Sequence, residues 1–149
     1  MDTKRLENIL SRFSSLRIAL VGDFFLDRYL MIDPALDEIS IETGLAAYQV
    51  VAKRPQPGAA GTVCNNLHSL NVGTLFAVAV VGDDGDGYEL RKELTRRGVN
   101  IDRVLIDEER FTPTYTKPMR MKPDGDEELN REDVKNRKPL SPHLEEELI

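Results

Sequence analysis

The sequence predicts an α/β domain with a mainly parallel sheet. Two observations predict this class: short unbroken apolar runs end at a glycine, and these runs alternate with stretches whose apolar residues recur at helical spacing. Short, continuously apolar strands are typical of parallel sheets, because such sheets are covered on both faces. The strand–helix–strand–helix–strand order favours right-handed βαβ connections, which we expect here.

Length, charge and cysteine content narrow the class of protein. The chain has 149 residues, enough for one ordinary domain with a real hydrophobic core. Its formal net charge is −6 and no Lys/Arg cluster stands out, which disfavours nucleic acid and anionic membranes as partners. The single cysteine, Cys64, excludes an internal disulfide and a cysteine-based zinc site. No apolar run approaches the roughly 20 residues of a membrane span and no signal sequence is evident, so we expect a cytoplasmic protein.

The amino-terminal segment predicts a helix followed by a buried strand. Apolar residues recur at helical spacing from Leu6 to Leu16, and Asp2 or Thr3 can serve as the N-cap. The unbroken apolar run Ile18–Val21, stopped by Gly22, then predicts a central strand that is buried on both faces.

A strand, a helix and a further βαβ unit follow. Residues 48–53 are typical of a strand in a less buried sheet, which the Pro55–Gly58 segment is expected to end. The remaining elements of this part are a helix from Ala59 to about Leu70, a strongly apolar strand at 75–81, a helix at 86–97 and a short strand at 101–106.

The carboxyl-terminal part of the chain differs in character. Residues 114–121 predict an extended strand, whereas residues 122–138 contain almost no apolar side chain and form either a solvated excursion or a mobile hairpin. Ser141–Pro142 is a typical helix start. This helix has run only about two turns when the chain stops at Ile149, so we expect an amino-terminal piece of a longer protein.

Two carboxylates, Asp23 and Asp27, follow the first predicted strand. Ligands of open α/β sheets bind at the carboxyl ends of the strands, so this turn lies where a site is expected. Carboxylate oxygens accept hydrogen bonds, which suits the hydroxyl groups of a ligand and is poorly matched to phosphate. Taken alone, the same residues could simply cap a turn and face solvent.

A cluster of small residues, Gly58–Thr62, opens the second predicted helix. Small side chains let a ligand approach the backbone, and the free N–H groups of a helix start can donate to its oxygens. The alternative is a helix start that packs tightly against the sheet. Cys64 and His68 lie on the same helix, and we assign neither of them a catalytic role.

The acidic, glycine-rich segment Gly82–Gly87 lies between a predicted strand and a predicted helix. Its glycine spacing differs from the dinucleotide fingerprint, and its three aspartates would repel a pyrophosphate. Its acidic spacing also differs from that of a twelve-residue calcium loop. We therefore expect helix capping here, and a solvated charge run at residues 124–128.

Several segments, in their order along the chain, resemble the amino-terminal half of a ribokinase-like (PfkB) carbohydrate kinase, and in particular its heptose-phosphate kinase type. The resemblance extends from about residue 17 to residue 121, and the first of these segments contains Gly-Asp-x-x-Leu-Asp-Arg-Tyr. The segments are Ala19–Tyr29, Pro57–Leu67, Val81–Gly87 with Arg97–Asn100, and Thr112–Lys117, which is similar to the strand that leads into the small lid sheet of that type.

The resemblance implies a ribokinase-like αβα fold with a mainly parallel sheet and a small β-sheet lid. It also implies ATP-dependent transfer of a phosphoryl group to a hydroxyl of a sugar or sugar phosphate. By matching motif, Asp27 is expected to accept hydrogen bonds from sugar hydroxyls, and Gly58, Ala59 and Thr62 are expected to line the sugar pocket. Lys117 is a further candidate on the lid side, and the lid is expected to form a homodimer contact.

The same resemblance divides residues 1–149 into two parts. The large-domain core is expected at residues 1–28 and 54–110, the lid strands within 29–53 and 112–134, and the start of a helix at 142–149.

Two departures from the family pattern matter. The sugar loop, usually Gly-Gly-Ala-Ala-Asn in this family, is Gly-Ala-Ala-Gly-Thr at residues 58–62, which changes the hydrogen-bonding groups offered at Thr62. The family's general base lies in a Gly-Ala-Gly-Asp segment of the carboxyl-terminal half, which this sequence does not contain. We therefore expect no catalytic residue, ATP site or metal site in this chain, with ATP and Mg²⁺ belonging to the complete enzyme. The alternative is a non-catalytic dimerisation module that binds no sugar productively.

Overall fold

The structure, a computed structural model, describes residues 2–148. Its helices are α1 Thr3–Ser11, α2 Ala60–Ser69, α3 Gly85–Arg96 and α4 Pro142–Leu148, with 3-10 turns at Phe13–Ser15 and Pro34–Leu36. Its strands are β1 Arg17–Val21, β2 Phe24–Ile32, β3 Glu38–Ile39, β4 Ala46–Ala47, β5 Val50–Ala59, β6 Thr74–Gly82, β7 Val99–Asp107, β8 Thr114–Arg120, β9 Glu127–Glu128 and β10 Glu132–Val134.

A three-stranded parallel sheet, ordered β1–β6–β7, forms the centre of the hydrophobic core. Alternate residues of β6, from Leu75 to Val81, are buried, because every second side chain of a strand points to the same face. Leu90 and Leu94 of α3 are fully buried and belong to the same core. The predicted α/β class with a mainly parallel sheet is confirmed.

A second, mixed sheet contains the strands ordered β10–β8–β2–β5, with β9 paired to β8, and we call it the lid sheet. Its strand β2 is antiparallel to β5 and parallel to β8. The back face of β2 is attached to the core, since Phe24 and Leu26 are buried there and Arg28 forms ion pairs with Asp86 and Glu89 of α3. Because side chains alternate along a strand, Phe25 and Asp27 lie on the opposite face of β2, which we call the front face.

The first strand of the parallel sheet lies at its edge, which corrects the prediction of a central strand buried on both faces. Only β6 pairs with β1 within residues 2–148, and the Val21 side chain is 74% exposed. A local run of apolar residues predicts a strand, but the number of neighbouring strands depends on the rest of the fold.

The prolines at Pro55 and Pro57 do not end β5, which also corrects the sequence prediction. They lie opposite Arg28 and Leu26 of β2, and the strand continues to Ala59. Proline is tolerated because β5 is at the edge of the lid sheet, where a residue without an N–H can face away from the neighbouring strand. As a result, the two strands extend beyond the predicted range 29–53, because β2 begins at Phe24 and β5 ends at Ala59.

The ends of the chain agree with the sequence in two further respects. The Asp2 carboxylate caps α1 by accepting from the Arg5 N–H at 2.8 Å. The helix predicted at 142–149 is α4, which is described to Leu148, and Ile149 lies outside the described residues. Within residues 2–148, no helix has the length and apolar character needed to cross a membrane.

Candidate functional site

The acidic turn after β1 and the small-residue start of α2 lie side by side. The pairing of β2 with β5 sets Phe24 opposite Ala59 and Phe25 opposite Gly58. The Ala60 N–H donates to the carbonyl oxygen of Asp23 at 3.2 Å, which closes the junction between the two segments. Two motifs that are far apart in the sequence therefore form one continuous surface.

A cavity of about 450 Å³ opens at this junction, beside the carboxyl ends of β1 and β6. This volume lies within the range of about 300–1,000 Å³ that is typical of small-molecule sites. Residues from both motifs and from the lid line it, among them Gly22, Asp23, Phe25, Ala59, Tyr115 and two cationic side chains, Arg110 and Lys135.

Of the five residues that the family motifs assign to the sugar pocket, Ala59, the N-cap residue of α2, lines this cavity, and so does Asp23 of the acidic turn. The Ala59 backbone has φ +45° and ψ −111°, a conformation that favours glycine. The family pattern has a glycine at this position, so the departure noted in the sequence stores strain in the backbone of the junction.

Gly58 lies one residue before Ala59 and is buried. A Cβ atom built on it would come within 1.9 Å of Phe25 Cε2, so the ring of Phe25 occupies the space above Gly58. Phe25 in turn meets the ring of Tyr115 edge to face, with the ring centroids 4.5 Å apart. Gly58 thus lets an aromatic pair form one wall of the cavity.

Asp27 and Lys117 lie on the front face of the lid sheet, two residues further along β2 and β8 than the aromatic pair. Lys117 Nζ donates to Asp27 Oδ1 at 2.5 Å and to the Tyr29 hydroxyl at 3.3 Å. The ammonium also lies 4.8 Å from the centroid of the Tyr29 ring. Burial alone would lower the pKa of Lys117, but the hydrogen bonds to Asp27 and Tyr29 outweigh burial and raise this pKa above its ordinary value.

This ion pair leaves Asp27 able to accept further hydrogen bonds. Its Oδ1 atom is engaged by Lys117, whereas its Oδ2 atom has no hydrogen-bond partner in the part of the chain that the structure describes. An ionised carboxylate oxygen in a half-buried position is a strong acceptor for a hydroxyl group. The lysine holds the carboxylate in place for such a contact.

Thr62 lies apart from the other candidates. It is an exposed residue in the first turn of α2, and its Oγ1 donates to the carbonyl oxygen of Pro57 at 3.4 Å. It therefore contributes to the start of α2 and does not line the cavity.

Phe25 and Tyr115 were not predicted as site residues from the sequence, although a signal was present. Strand alternation places Phe25 on the same face as Asp27, and Tyr115 on the same face as Lys117. Aromatic residues two positions from a candidate polar residue could therefore have been included in the site.

The acidic segment Gly82–Gly87 caps α3, as predicted. The Asp84 carboxylate accepts from the Gly87 N–H at 2.7 Å and from the Thr112 N–H at 2.8 Å. Burial alone would raise the pKa of Asp84, but the hydrogen bonds from the backbone of Thr112 and Gly87 outweigh burial and lower this pKa. Burial raises the pKa of the Cys64 thiol to about 11, which agrees with a small packed residue and not with a reactive one.

The chain has sequence relatives over its whole length. It is 33% identical over 149 residues to the bifunctional protein HldE of Trichlorobacter lovleyi, and 33% identical over 145 residues to that of Pelobacter propionicus. These alignments cover 100% and 97% of this chain, but 29% and 28% of the relatives. The chain thus spans less than a third of the length of these proteins. No family model matches it.

Solved structures with the same fold include a carbohydrate kinase, a ribokinase and a PfkB protein. A carbohydrate kinase from Agrobacterium tumefaciens matches 79% of this chain and 35% of its own, with a TM-score of 0.57 and 21% identity. Arabidopsis thaliana ribokinase, complexed with ribose and ATP, matches the same shares with a TM-score of 0.54 and 19% identity. A PfkB protein from a Polaromonas species matches 80% of this chain and 35% of its own, with a TM-score of 0.52 and 18% identity. At these identities the structures show the fold, whereas the sequence relatives carry the closer relationship. Together, the comparisons show that the chain is similar in sequence to a part of HldE and has the ribokinase-like fold of these kinases.

Proposed function

We propose that this chain is the sugar-binding part of an ATP-dependent carbohydrate kinase that acts in the cytoplasm. The observation that carries the proposal is the junction between two segments: Gly22–Asp27, which enters β2, and Gly58–Thr62, where β5 leads into α2. Both segments match family motifs, and the residues between them enclose a cavity of the size of a small-molecule site. In this proposal the parallel sheet with its helices is the large domain, and the lid sheet covers the sugar.

Polar groups at the junction suit a polyol ligand. Asp27 Oδ2 accepts a hydrogen bond from a sugar hydroxyl, while Lys117 neutralises and orients the carboxylate through Oδ1. Ala59 places its backbone at the cavity and Gly58 leaves room for the Phe25 ring. The Phe25–Tyr115 pair offers an apolar wall for the C–H face of a sugar ring. Thr62 is not part of this set, because its hydroxyl donates to the Pro57 carbonyl at the start of α2. If the phosphoryl acceptor is a sugar phosphate, the cationic side chains of Arg110 and Lys135 would bind its phosphate group.

We propose that ATP and Mg²⁺ are held by residues of the complete enzyme outside this chain. Phosphoryl transfer depends on positioning and on charge stabilisation around the phosphates. The glycine-rich segment that could be mistaken for a phosphate loop is acidic, and its Asp84 is already committed to capping α3. This segment therefore does not fit a nucleotide, and no catalytic step is assigned to it.

Calorimetric titration of the chain with a panel of sugars and sugar phosphates tests the sugar site. Saturable binding of at least one of them is expected, and Asp27→Asn is expected to weaken it at least tenfold, because a charged hydrogen bond contributes about 1.5–3 kcal/mol. Asp124→Asn removes a carboxylate from an exposed loop and serves as the matched control. Equal affinity of the Asp27 and Asp124 variants would remove Asp27 from the site. Phosphorylation of a sugar by this chain and ATP alone would contradict the proposed location of the ATP site.

A second candidate function is a dimerisation module that uses the lid, through the β3–β4 hairpin that connects the lid strands β2 and β5. Three large apolar side chains around the β3–β4 hairpin, Ile39, Ile41 and Leu45, are exposed. A contact with the same surface of a second copy would remove them from water. Size-exclusion chromatography with light scattering should show a lower mass for Leu45→Lys than for the wild type. A mass that is unchanged by this variant would argue against the lid contact.

A further inference from the structure

Thr112 is a buried polar residue in the segment that joins the parallel sheet to the lid sheet. It lies between β7 and β8, and only 1% of its surface is exposed. The Gly82 N–H donates to the Thr112 hydroxyl at 2.9 Å, and the Thr112 N–H donates to Asp84 Oδ2 at 2.8 Å. The side chain and the backbone of Thr112 are therefore both bound to the turn between β6 and α3.

Two glycines of that turn let Thr112 approach closely. A Cβ atom built on Gly82 would lie 2.4 Å from the Arg110 carbonyl oxygen and 2.8 Å from the Thr112 nitrogen. A Cβ atom built on Gly87 would lie 2.8 Å from the Thr112 hydroxyl oxygen. A larger residue at either position would therefore displace the segment at 110–112. The acidic, glycine-rich segment thus does more than cap α3, because it also binds Thr112.

The position of Thr112 determines where β8 begins. The Pro113 carbonyl oxygen accepts from the Leu26 N–H at 2.9 Å, and Thr114 lies opposite Leu26 in the register of the two strands. Leu26 and Thr114 are both buried, so the first residues of β8 are fixed against β2. Tyr115, which lines the cavity, is three residues beyond Thr112, about 10 Å along an extended chain. A shift of Thr112 is therefore transmitted to the aromatic wall of the cavity.

The neighbouring lid strand is attached to the same helix. Arg28 of β2 forms ion pairs with two carboxylates of α3, those of Asp86 and Glu89. The amino-terminal part of α3 thus holds both strands that carry the Asp27–Lys117 pair on their front face. The geometry of this pair depends on how β2 and β8 are each held there.

We propose that Thr112 is a positioning residue of the sugar site, which holds Tyr115 and Lys117 of β8 in the place that sugar binding requires. This inference rests on the proposed function and goes beyond it, because Thr112 does not itself line the sugar cavity. The hydroxyl is the essential group. Serine keeps this hydroxyl, whereas valine keeps the shape of the side chain and leaves the buried Gly82 N–H without its acceptor.

Calorimetric titration of the wild type and three variants tests the positioning role, with the sugar that binds the wild type best. We expect Thr112→Val to weaken binding about tenfold, and Thr112→Ser to stay within about twofold of the wild type. Val104→Ala is the matched control, because Val104 is a buried core residue of β7 that does not line the cavity. This variant should lose stability but keep its affinity within about twofold.

Urea denaturation of each form establishes that it is folded under the titration conditions. If Thr112→Val does not fold, Asp84→Asn takes its place, since it weakens the bond from the Thr112 N–H and leaves the hydroxyl intact. It should then bind the sugar more weakly than Val104→Ala does. Equal losses of affinity in the anchoring variant and in Val104→Ala, or no loss in the anchoring variant, would overturn the proposal.

Hydrogen exchange in the absence of sugar gives a readout that is independent of the proposed function. In Thr112→Val, the amides of Tyr115 and Lys117 should exchange faster by a larger factor than those of β6, because the anchor of β8 is lost. In Val104→Ala, β8 and β6 should be accelerated alike. If no sugar binds the wild type, the proposed function fails, and exchange alone decides whether Thr112 places β8. Uniform acceleration throughout Thr112→Val would show a purely structural role and overturn the inference.

Discussion

Lys117 Nζ lies 2.5 Å from Asp27 Oδ1, joining two residues that are 90 positions apart in the sequence. The contact runs diagonally between neighbouring strands, since Tyr29 and not Asp27 is directly opposite Lys117. The two side chains are only 15% and 18% exposed, so their attraction is weakly screened by solvent. The pair connects β2 to β8 on the face that we assign to the sugar.

Removing the lysine should destabilise the chain, because it leaves a half-buried carboxylate without its partner. We expect Lys117→Met to lower the free energy of unfolding by about 1–3 kcal/mol in urea denaturation. Lys122→Met is the control, since Lys122 pairs with Glu127 at 2.8 Å but both side chains are more than 40% exposed. Its effect should stay below about 1 kcal/mol. Equal losses in the two variants would mean that the Asp27–Lys117 pair contributes no more than a surface contact.

Ala59→Gly should stabilise the chain. Ala59 has φ +45°, where a Cβ atom is strained by roughly 1–3 kcal/mol, and part of this gain is offset by the higher entropy of unfolded glycine. A net increase of about 1 kcal/mol is expected in thermal or chemical denaturation. Ala52→Gly on the same strand lacks the positive φ and should destabilise by roughly 0.5–1 kcal/mol. A loss of stability in Ala59→Gly would refute the strain at the cavity.

Gly58→Ala should disturb the aromatic wall of the cavity. The new Cβ atom would overlap the Phe25 ring, which has to move or be strained, at a cost of about 1–3 kcal/mol. Gly85→Ala provides the comparison, because no atom lies within 4 Å of a Cβ built there, and its effect should be within about 0.5 kcal/mol. Denaturation curves of the two variants measure the difference. If Gly58→Ala is as neutral as Gly85→Ala, Phe25 is not fixed above Gly58.

The contribution of Asp84 to stability should disappear in acid. Its pKa is lowered in the folded state, so its contribution is complete above the ordinary value of 3.8 and is lost as the pH falls through the folded value. The difference in unfolding free energy between wild type and Asp84→Asn should therefore be constant near neutral pH and shrink below pH 3.8. Asp83→Asn, which removes a carboxylate from an exposed neighbouring position, is the matched control. A constant difference down to pH 2 would contradict the capping role.

The parts of the fold that could be predicted from sequence are those encoded locally. The apolar run of β6 predicts a strand and the helical spacing of α3 predicts a helix, because one face of each packs in the core. The edge position of β1 could not be predicted, since it depends on which strands are its neighbours. The continuation of β5 through Pro55 and Pro57 was missed for the same reason, because proline is compatible with a strand only at an edge.

In the candidate site, too, residues in local motifs could be predicted from the sequence, whereas contacts between distant strands could not. Asp27 and Ala59 could be identified because each lies in a short motif, and the pairing of β2 with β5 brings these motifs together. The ion pair of Asp27 with Lys117, and the wall formed by Phe25 and Tyr115, depend on the pairing of β2 with β8. No local sequence pattern specifies which residues of β2 and β8 lie opposite each other.

The central proposal is that the acidic turn after β1 and the start of α2 are two walls of one sugar site. Residue-resolved NMR titration of the isolated chain with the sugar that binds best by calorimetry tests it directly. The account predicts saturable shifts confined to the amides of residues 22–29, 58–62 and 115–117, which are lost in Asp27→Asn. Saturable shifts elsewhere in the folded chain, with these three segments unaffected, would contradict it.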